Sequence, residues 1–500
     1  MATSGRAPSA SAHTQSNNSS DPPMRTVIAC RSFATVVGLF LGFAVVGQSP
    51  THPALFPPAF ADDGGGSGGG SGGDGGGGAG AGGGPPIGSH WTPGGRGRHF
   101  SLFRGFRLPW DARPRRAVRA RANTPEYVLS GLEATQTQTL RDRGFRVVAE
   151  RSLSGGRGSL LRVAAPGRIS KQRALASLRE IAPGRPVDEN TLYLQRFRMQ
   201  GGRSTLRNAF LNPLATVDWR SLENCGDLGA IGLVDSGIDA DHTGLASKRL
   251  EVITQRAPDR QASSKRHGTA VATLLLGDGV FPGLTPKARI VAVDAFHSQN
   301  GVDQIDTFDL VSAMDALVER GVAVINLSLA GSANEVLDAE GKRAQARGVI
   351  VVAASGNDGA AAKPRYPAAY PWAIAATAVD RNLVVYKRAV RGPHIRLAAP
   401  GVDLVLRDGD GRLRQHTGTS FAVPFVAARL ALAHLGEQTR RAEAAGLPTG
   451  DLDSARTAEA SVAALGSQAI DLGEPGKDIV YGDGLVQFGS ACRSATSATR

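Results

Sequence analysis

The amino-acid sequence predicts an α/β protein: a doubly wound parallel sheet with helices on both faces, preceded by a small α+β domain. Three observations predict it. Between residues 208 and 495, apolar runs recur at 230–234, 290–293, 322–329, 349–354, 373–379 and 395–398. Several are continuous instead of alternating, as strands buried on both faces are. Helical stretches at 267–276, 308–320, 335–347 and 420–435 fall among them, and strands alternating with helices imply a parallel sheet covered on both sides. Upstream, residues 122–200 change to a rhythm of short strands and helices.

The 500 residues call for more than one structural unit. Residues 1–31 are polar and end in Arg25 and Arg31, before an uncharged apolar run at 33–46. At about 1.5 Å per residue that run is shorter than the roughly 30 Å hydrocarbon core. Its basic flank and the later Ala59-Phe60-Ala61 fit a signal peptide cut before Asp62. An uncleaved membrane anchor is the alternative, and either reading places the rest of the chain outside the cytoplasm, secreted or anchored. Residues 1–61 are therefore read as a tail with a signal peptide or anchor.

Residues 62–121 read as a linker. The stretch 64–84 is nearly pure glycine, cannot bury a core, and behaves as a tether with a root-mean-square span of roughly 25 Å. The net charge of +13 is uneven, with nine arginines between Arg96 and Arg121 against one acid, Asp111. Aromatics are sparse there and no zinc-finger or RNA-binding motif accompanies them, so a solvated basic arm is expected and a nucleic-acid partner is not. The three cysteines offer no CxxC and no metal-ligand spacing. Once the leading region with Cys30 is removed, Cys225 and Cys492 remain as an even pair in an exported chain, either bonded or two independent buried thiols.

Within 122–200, residues 126–130 read as a strand and 135–143 as a helix stopped by Gly144. Two strands, 145–150 and 159–164, flank the Gly155-Gly156 turn. Residues 170–181 place Leu175, Leu178 and Ile181 on one helical face, and 192–194 form a final strand. This β-α-β-β-α-β order is the ferredoxin-like plan.

Four short motifs of the larger domain carry chemistry: Val234-Asp235-Ser236-Gly237, His267-Gly268-Thr269, Ala354-Ser355-Gly356-Asn357 and Gly418-Thr419-Ser420. Singly, each has an ordinary reading as a capping Asp, a structural His, an Asn-Asp-Gly turn or a Ser N-cap. Together they supply a carboxylate, an imidazole, an amide donor and a hydroxyl, the parts needed for acyl transfer on a peptide bond. Asp235 ends a buried strand, where a carboxylate faces the crevice. Ser420 opens a buried helix whose amino end favours an anion.

The order Asp, His, Ser, with an Asn before the Ser, resembles the subtilisin-like serine peptidases, the subtilases. The run Gly418-Thr419-Ser420-Phe421-Ala422-Val423-Pro424 is the most specific part of the resemblance. The resemblance implies an exported serine endopeptidase with catalytic residues Asp235, His267 and Ser420 and oxyanion donor Asn357, acting on polypeptides without a cofactor. It implies that Ser328, Leu329, Ala330 and Gly331 pair with substrate backbone. It places Arg365 at the base of the specificity pocket, where it disfavours bulky aromatics and favours small or acidic side chains unless Asp358 neutralises it. It makes 122–200 a propeptide that assists folding and inhibits the peptidase domain at 208–495. The family's calcium sites are not expected: Gly244 stands where an Asp often binds calcium, and the loop at Gly277-Asp278-Gly279 is short. The rival reading is a catalytically silent fold that binds peptides, or a surface protein whose Gly/Arg arm is its working part.

Overall fold

The structure is a computed structural model that describes residues 125–200, 211–219, 229–241, 245, 249–277, 283–448 and 452–489. The readings made on residues 1–121, on Cys225 and Cys492, and on Gly244, Asp278 and Gly279 lie outside these.

The small domain comprises β1 (Glu126–Leu132), α1 (Ala134–Asp142), β2 (Arg146–Ser152), β3 (Ser159–Ala164), α2 (Lys171–Ile181) and β4 (Val187–Glu189). Its sheet has the order β2-β3-β1-β4. Ser170 caps α2 by accepting from the Arg173 N–H at 3.3 Å. Gly144, at φ +82°, takes the chain out of α1. Side chains alternate across the sheet. Tyr127, Leu129, Leu161 and Val163 pack on Leu140 and Leu178, while Val128 and Leu160 point the other way and join the core of the larger domain.

Residues 192–194 were expected to complete this sheet. The fourth strand is instead β4, whose Val187 pairs with Leu129. Residues 192–194 form β5 (Leu192–Leu194), which leaves the small domain for another sheet, followed by β6 (Arg198–Gln200).

The larger domain continues with α3 (Leu211–Thr216), β7 (Ala230–Asp235), β8 (Leu250–Thr254), α4 (Arg266–Leu276), β9 (Arg289–Asp294), β10 (His297–Gln299) and β11 (Val302–Asp306). Next come α5 (Thr307–Glu319), β12 (Val324–Leu327), β13 (Ala330–Gly331), α6 (Glu335–Ala346), β14 (Ile350–Ala354), β15 (Ala373–Val379) and β16 (Ile395–Pro400). The last elements are β17 (Leu404–Arg407), β18 (Leu413–Thr417), α7 (Thr419–Ala445) and α8 (Ser454–Ser467). Seven parallel strands form the main sheet in the order β16-β15-β14-β12-β7-β9-β8.

Both faces of that sheet are covered. On one face Ile231, Leu233, Ile290 and Val352 pack with α4 and α7. On the other, Val234, Val291, Ile325 and Val351 pack with α5 and α6. Among the described residues only α7 is long and apolar enough to cross a membrane, and 83% of its apolar window is buried inside the fold. It is the core helix of the domain, and it carries Ser420.

Candidate active site

Asp235, His267 and Ser420 come together at the carboxyl edge of the parallel sheet. Asp235 ends β7 and is 1% exposed. Its Oδ1 accepts from the Ser236 N–H at 2.8 Å and from His267 Nδ1 at 2.8 Å. Its Oδ2 is buried with no partner among the described residues. His267 is the second residue of α4, and Gly268 lets that helix sit directly on the turn after Asp235: a Cβ at 268 would stand 2.3 Å from the Ser236 carbonyl oxygen. His267 Nε2 lies 3.0 Å from Ser420 Oγ. An ionised carboxylate only accepts, so Nδ1 carries the ring proton and Nε2 is free to accept the hydroxyl proton.

Ser420 is the second residue of α7. The preceding Gly418 lies under the reacting groups, where a Cβ would be 3.2 Å from Asn357 Nδ2 and 3.3 Å from Ser420 Oγ. Asn357 follows β14 and the left-handed Gly356, at φ +103°. Its Oδ1 accepts from the Thr419 N–H at 3.0 Å, which turns Nδ2 into the cleft, where it donates to the carbonyl oxygen of Arg196.

That contact reveals what fills the site. β5 is inserted antiparallel between β11 and β13, with Leu194 opposite Gln304 on one side and Ala330 on the other. The chain then crosses in front of Ser420, and β6 pairs antiparallel with β18. Residues 192–200 thus run through the cleft as an extended peptide. The Gln195 amide donates to Asp235 Oδ1 at 2.6 Å. The Phe197 ring lies 4.7 Å from that of His267 and 5.9 Å from that of Phe421, centroid to centroid.

The other expected residues take distinct places. Ala330 and Gly331 form β13, and a Cβ at 331 would meet the Tyr193 ring at 2.5 Å. Ser328 and Leu329 line the cavity beside β5, but the Ser328 hydroxyl donates to the Ser420 carbonyl oxygen at 2.8 Å. That bond braces α7 at Ser420. Arg365 lines the same cavity, with Nε 2.6 Å from Asp358 Oδ2, so its charge is compensated and no bare cation awaits an acidic side chain.

Sequence reasoning missed Gln195, Arg196 and Phe197 as occupants of the cleft. It also missed His416, which is fully buried, packs against Phe421, and has neither ring nitrogen bonded among the described residues. Burial, then the nearby His267 and Arg414, push its pKa down to about 3, so it stays neutral beside the triad. Asp294, opposite Asp235 across β7 and β9, is pushed up to about 6 by burial and by Asp235, against the pull of Arg256. Among the described residues no group of three or more His, Cys, Asp or Glu is placed to hold a metal ion.

Comparison with known proteins agrees with this fold. Residues 227–444 match the Subtilase family. Subtilisin DY of Bacillus licheniformis is 31% identical over 211 residues, covering 40% of this chain and 75% of that protein. The minor extracellular protease Epr of Bacillus subtilis (strain 168) is 29% identical over 263 residues, 52% of this chain and 37% of Epr. The chain belongs to the subtilase family. It spans only 37% of Epr and 54% of subtilisin amylosacchariticus, so it matches part of such relatives and not their full length. Among solved structures, fervidolysin of Fervidobacterium pennivorans shares the fold with a TM-score of 0.58 at 19% identity, covering 74% of this chain and 61% of that one.

Proposed function

We propose that this chain is a serine endopeptidase that hydrolyses polypeptides through an acyl-enzyme on Ser420, and that residues 122–200 are its propeptide and built-in inhibitor. The observation that carries the reading is the peptide in the cleft: residues 192–200 pass the triad in extended form, with the Arg196 carbonyl against the Asn357 amide. Strand addition on both sides reads backbone, which suits an enzyme acting on extended polypeptide. Ser420 Oγ attacks a substrate carbonyl carbon as its proton moves to His267 Nε2. Asp235 holds the charged ring and Asn357 meets the oxyanion, assisted by the amino end of α7. His267 returns the proton to the leaving amine, and water repeats the sequence to release the acyl group. Export through the apolar run at 33–46, cleaved or kept as an anchor, belongs to the same reading.

The test is labelling with a serine-directed fluorophosphonate together with a Ser420→Ala variant. Labelling confined to Ser420 and a loss of about 10⁶-fold in turnover are expected. Labelling at another residue, or proteolysis unchanged in the variant, refutes the assignment. A silent peptide-binding fold would leave Ser420 unlabelled.

A further inference from the structure

Resting on the peptidase reading, we infer that this enzyme cuts after arginine, that Asp358 is the side chain that recognises the guanidinium, and that Arg196–Phe197 is its own first bond. The residue whose carbonyl meets Asn357 is the one before the scissile bond, and in the cleft that residue is Arg196. Its Nη1 donates to Asp358 Oδ1.

The two oxygens of Asp358 have separate tasks. Oδ2 faces Arg365 Nε at 2.6 Å. That pair turns Oδ1 towards the cleft and makes Arg365 a positioning residue. Asp358 is 13% exposed in its side chain, so leaving Oδ1 without a cation costs part of the carboxylate's hydration. A neutral side chain before the scissile bond leaves that oxygen unpaired, and an acidic one sets like charges together. A guanidinium satisfies it through a charge-assisted bond. Lysine supplies the charge without the planar fork and is expected to follow arginine. The preference for small or acidic side chains expected from Arg365 alone is thereby replaced by a basic one.

The self-cleavage balances as ordinary acyl transfer. Ser420 Oγ bonds to the Arg196 carbonyl carbon, the C–N bond to Phe197 breaks, and His267 delivers the serine's proton to the Phe197 amine. Water then hydrolyses the ester and frees a carboxylate on Arg196.

Two measurements on the purified full chain test this. Intact-mass analysis should find an N-terminal fragment ending at Arg196, absent from the Ser420→Ala chain, with its appearance slowed at least about tenfold by Arg196→Glu. On the mature enzyme, internally quenched peptides differing only before the bond (Arg, Lys, Leu, Phe, Glu) should rank arginine first. Asp358→Asn should lower the Arg-to-Leu ratio of kcat/KM by about 10- to 100-fold. An N-terminal fragment ending elsewhere, an enzyme that cleaves Leu as well as Arg, or an unchanged ratio in Asp358→Asn overturns the inference while leaving the peptidase reading intact. No cleavage of any peptide and no labelled Ser420 would overturn the peptidase reading itself.

Discussion

Replacing Arg162 by alanine in the small domain should weaken its hold on the peptidase. Arg162 lies on β3 and is 5% exposed. Its Nη1 donates to Asp306 Oδ2 at 3.1 Å, and its guanidinium carbon lies 5.5 Å from the centre of the Phe308 ring. Asp306 has other support: Arg260 donates at 2.6 Å, the Asn190 amide at 3.0 Å and the Asp309 N–H at 3.0 Å. Losing Arg162 therefore leaves no orphan carboxylate in the peptidase, and the cost falls at the lower end of the range for truncating a buried pair, about 2–3 kcal/mol. That corresponds to a rise of about 30- to 150-fold in inhibition constant. The assay compares segment 125–196, with and without Arg162→Ala, as an inhibitor of the mature enzyme added in trans. Arg143→Ala, at an exposed arginine paired with Glu180 inside the small domain, serves as control and should change the constant less than about threefold. If Arg162→Ala also stays within threefold, the buried pair does not hold the domains together and the reasoning fails.

Two more predictions address the site and its neighbours. Asn357→Ala should reduce kcat by about 10²- to 10³-fold with KM little altered, because the amide acts on charge that develops during reaction; steady-state kinetics with a fall under tenfold would count against its role. Asp294 has a folded pKa raised from 3.8 to about 6. Its stabilising contribution is therefore present below pH 3.8 and is lost as pH rises through about 6. Relative to Asp294→Asn, the wild type should lose on the order of 2–3 kcal/mol between pH 4 and pH 7, measured by denaturant unfolding. Superimposable pH profiles would reject the shift.

The layered α/β fold was legible because its strands are buried on both faces and read as unbroken apolar runs; β15 spans Ala373–Val379, as the pattern indicated. The gathering of Asp235, His267, Asn357 and Ser420 was legible because each motif ends a strand or opens a helix on one edge of the sheet. Short polar strands were not: β8 is half-exposed, and its Glu251 breaks the apolar pattern. Nor could the path of 192–200 be read. Leu192-Tyr193-Leu194 has the same local pattern whichever edge it joins, and its edges, β11 and β13, lie more than a hundred residues away. Asp358 was legible as a rim residue, but its division between Arg365 and Arg196 depends on a contact 162 residues distant.

The small domain's sheet has two buried faces, and only one is its own. If the chain is cut as proposed and the domain departs, Val128, Leu153 and Leu160, all now within the larger core, would meet water. What remains is a domain of about 70 residues stabilised by a single modest core, a size at which folded and unfolded forms lie close in free energy. Each excursion of the freed domain to an open form then presents chain to a protease that it no longer blocks. Digestion of that form drains the equilibrium in one direction. On the propeptide reading proposed above, release from inhibition would become a ratchet, with dissociation of the less stable free domain followed by its digestion.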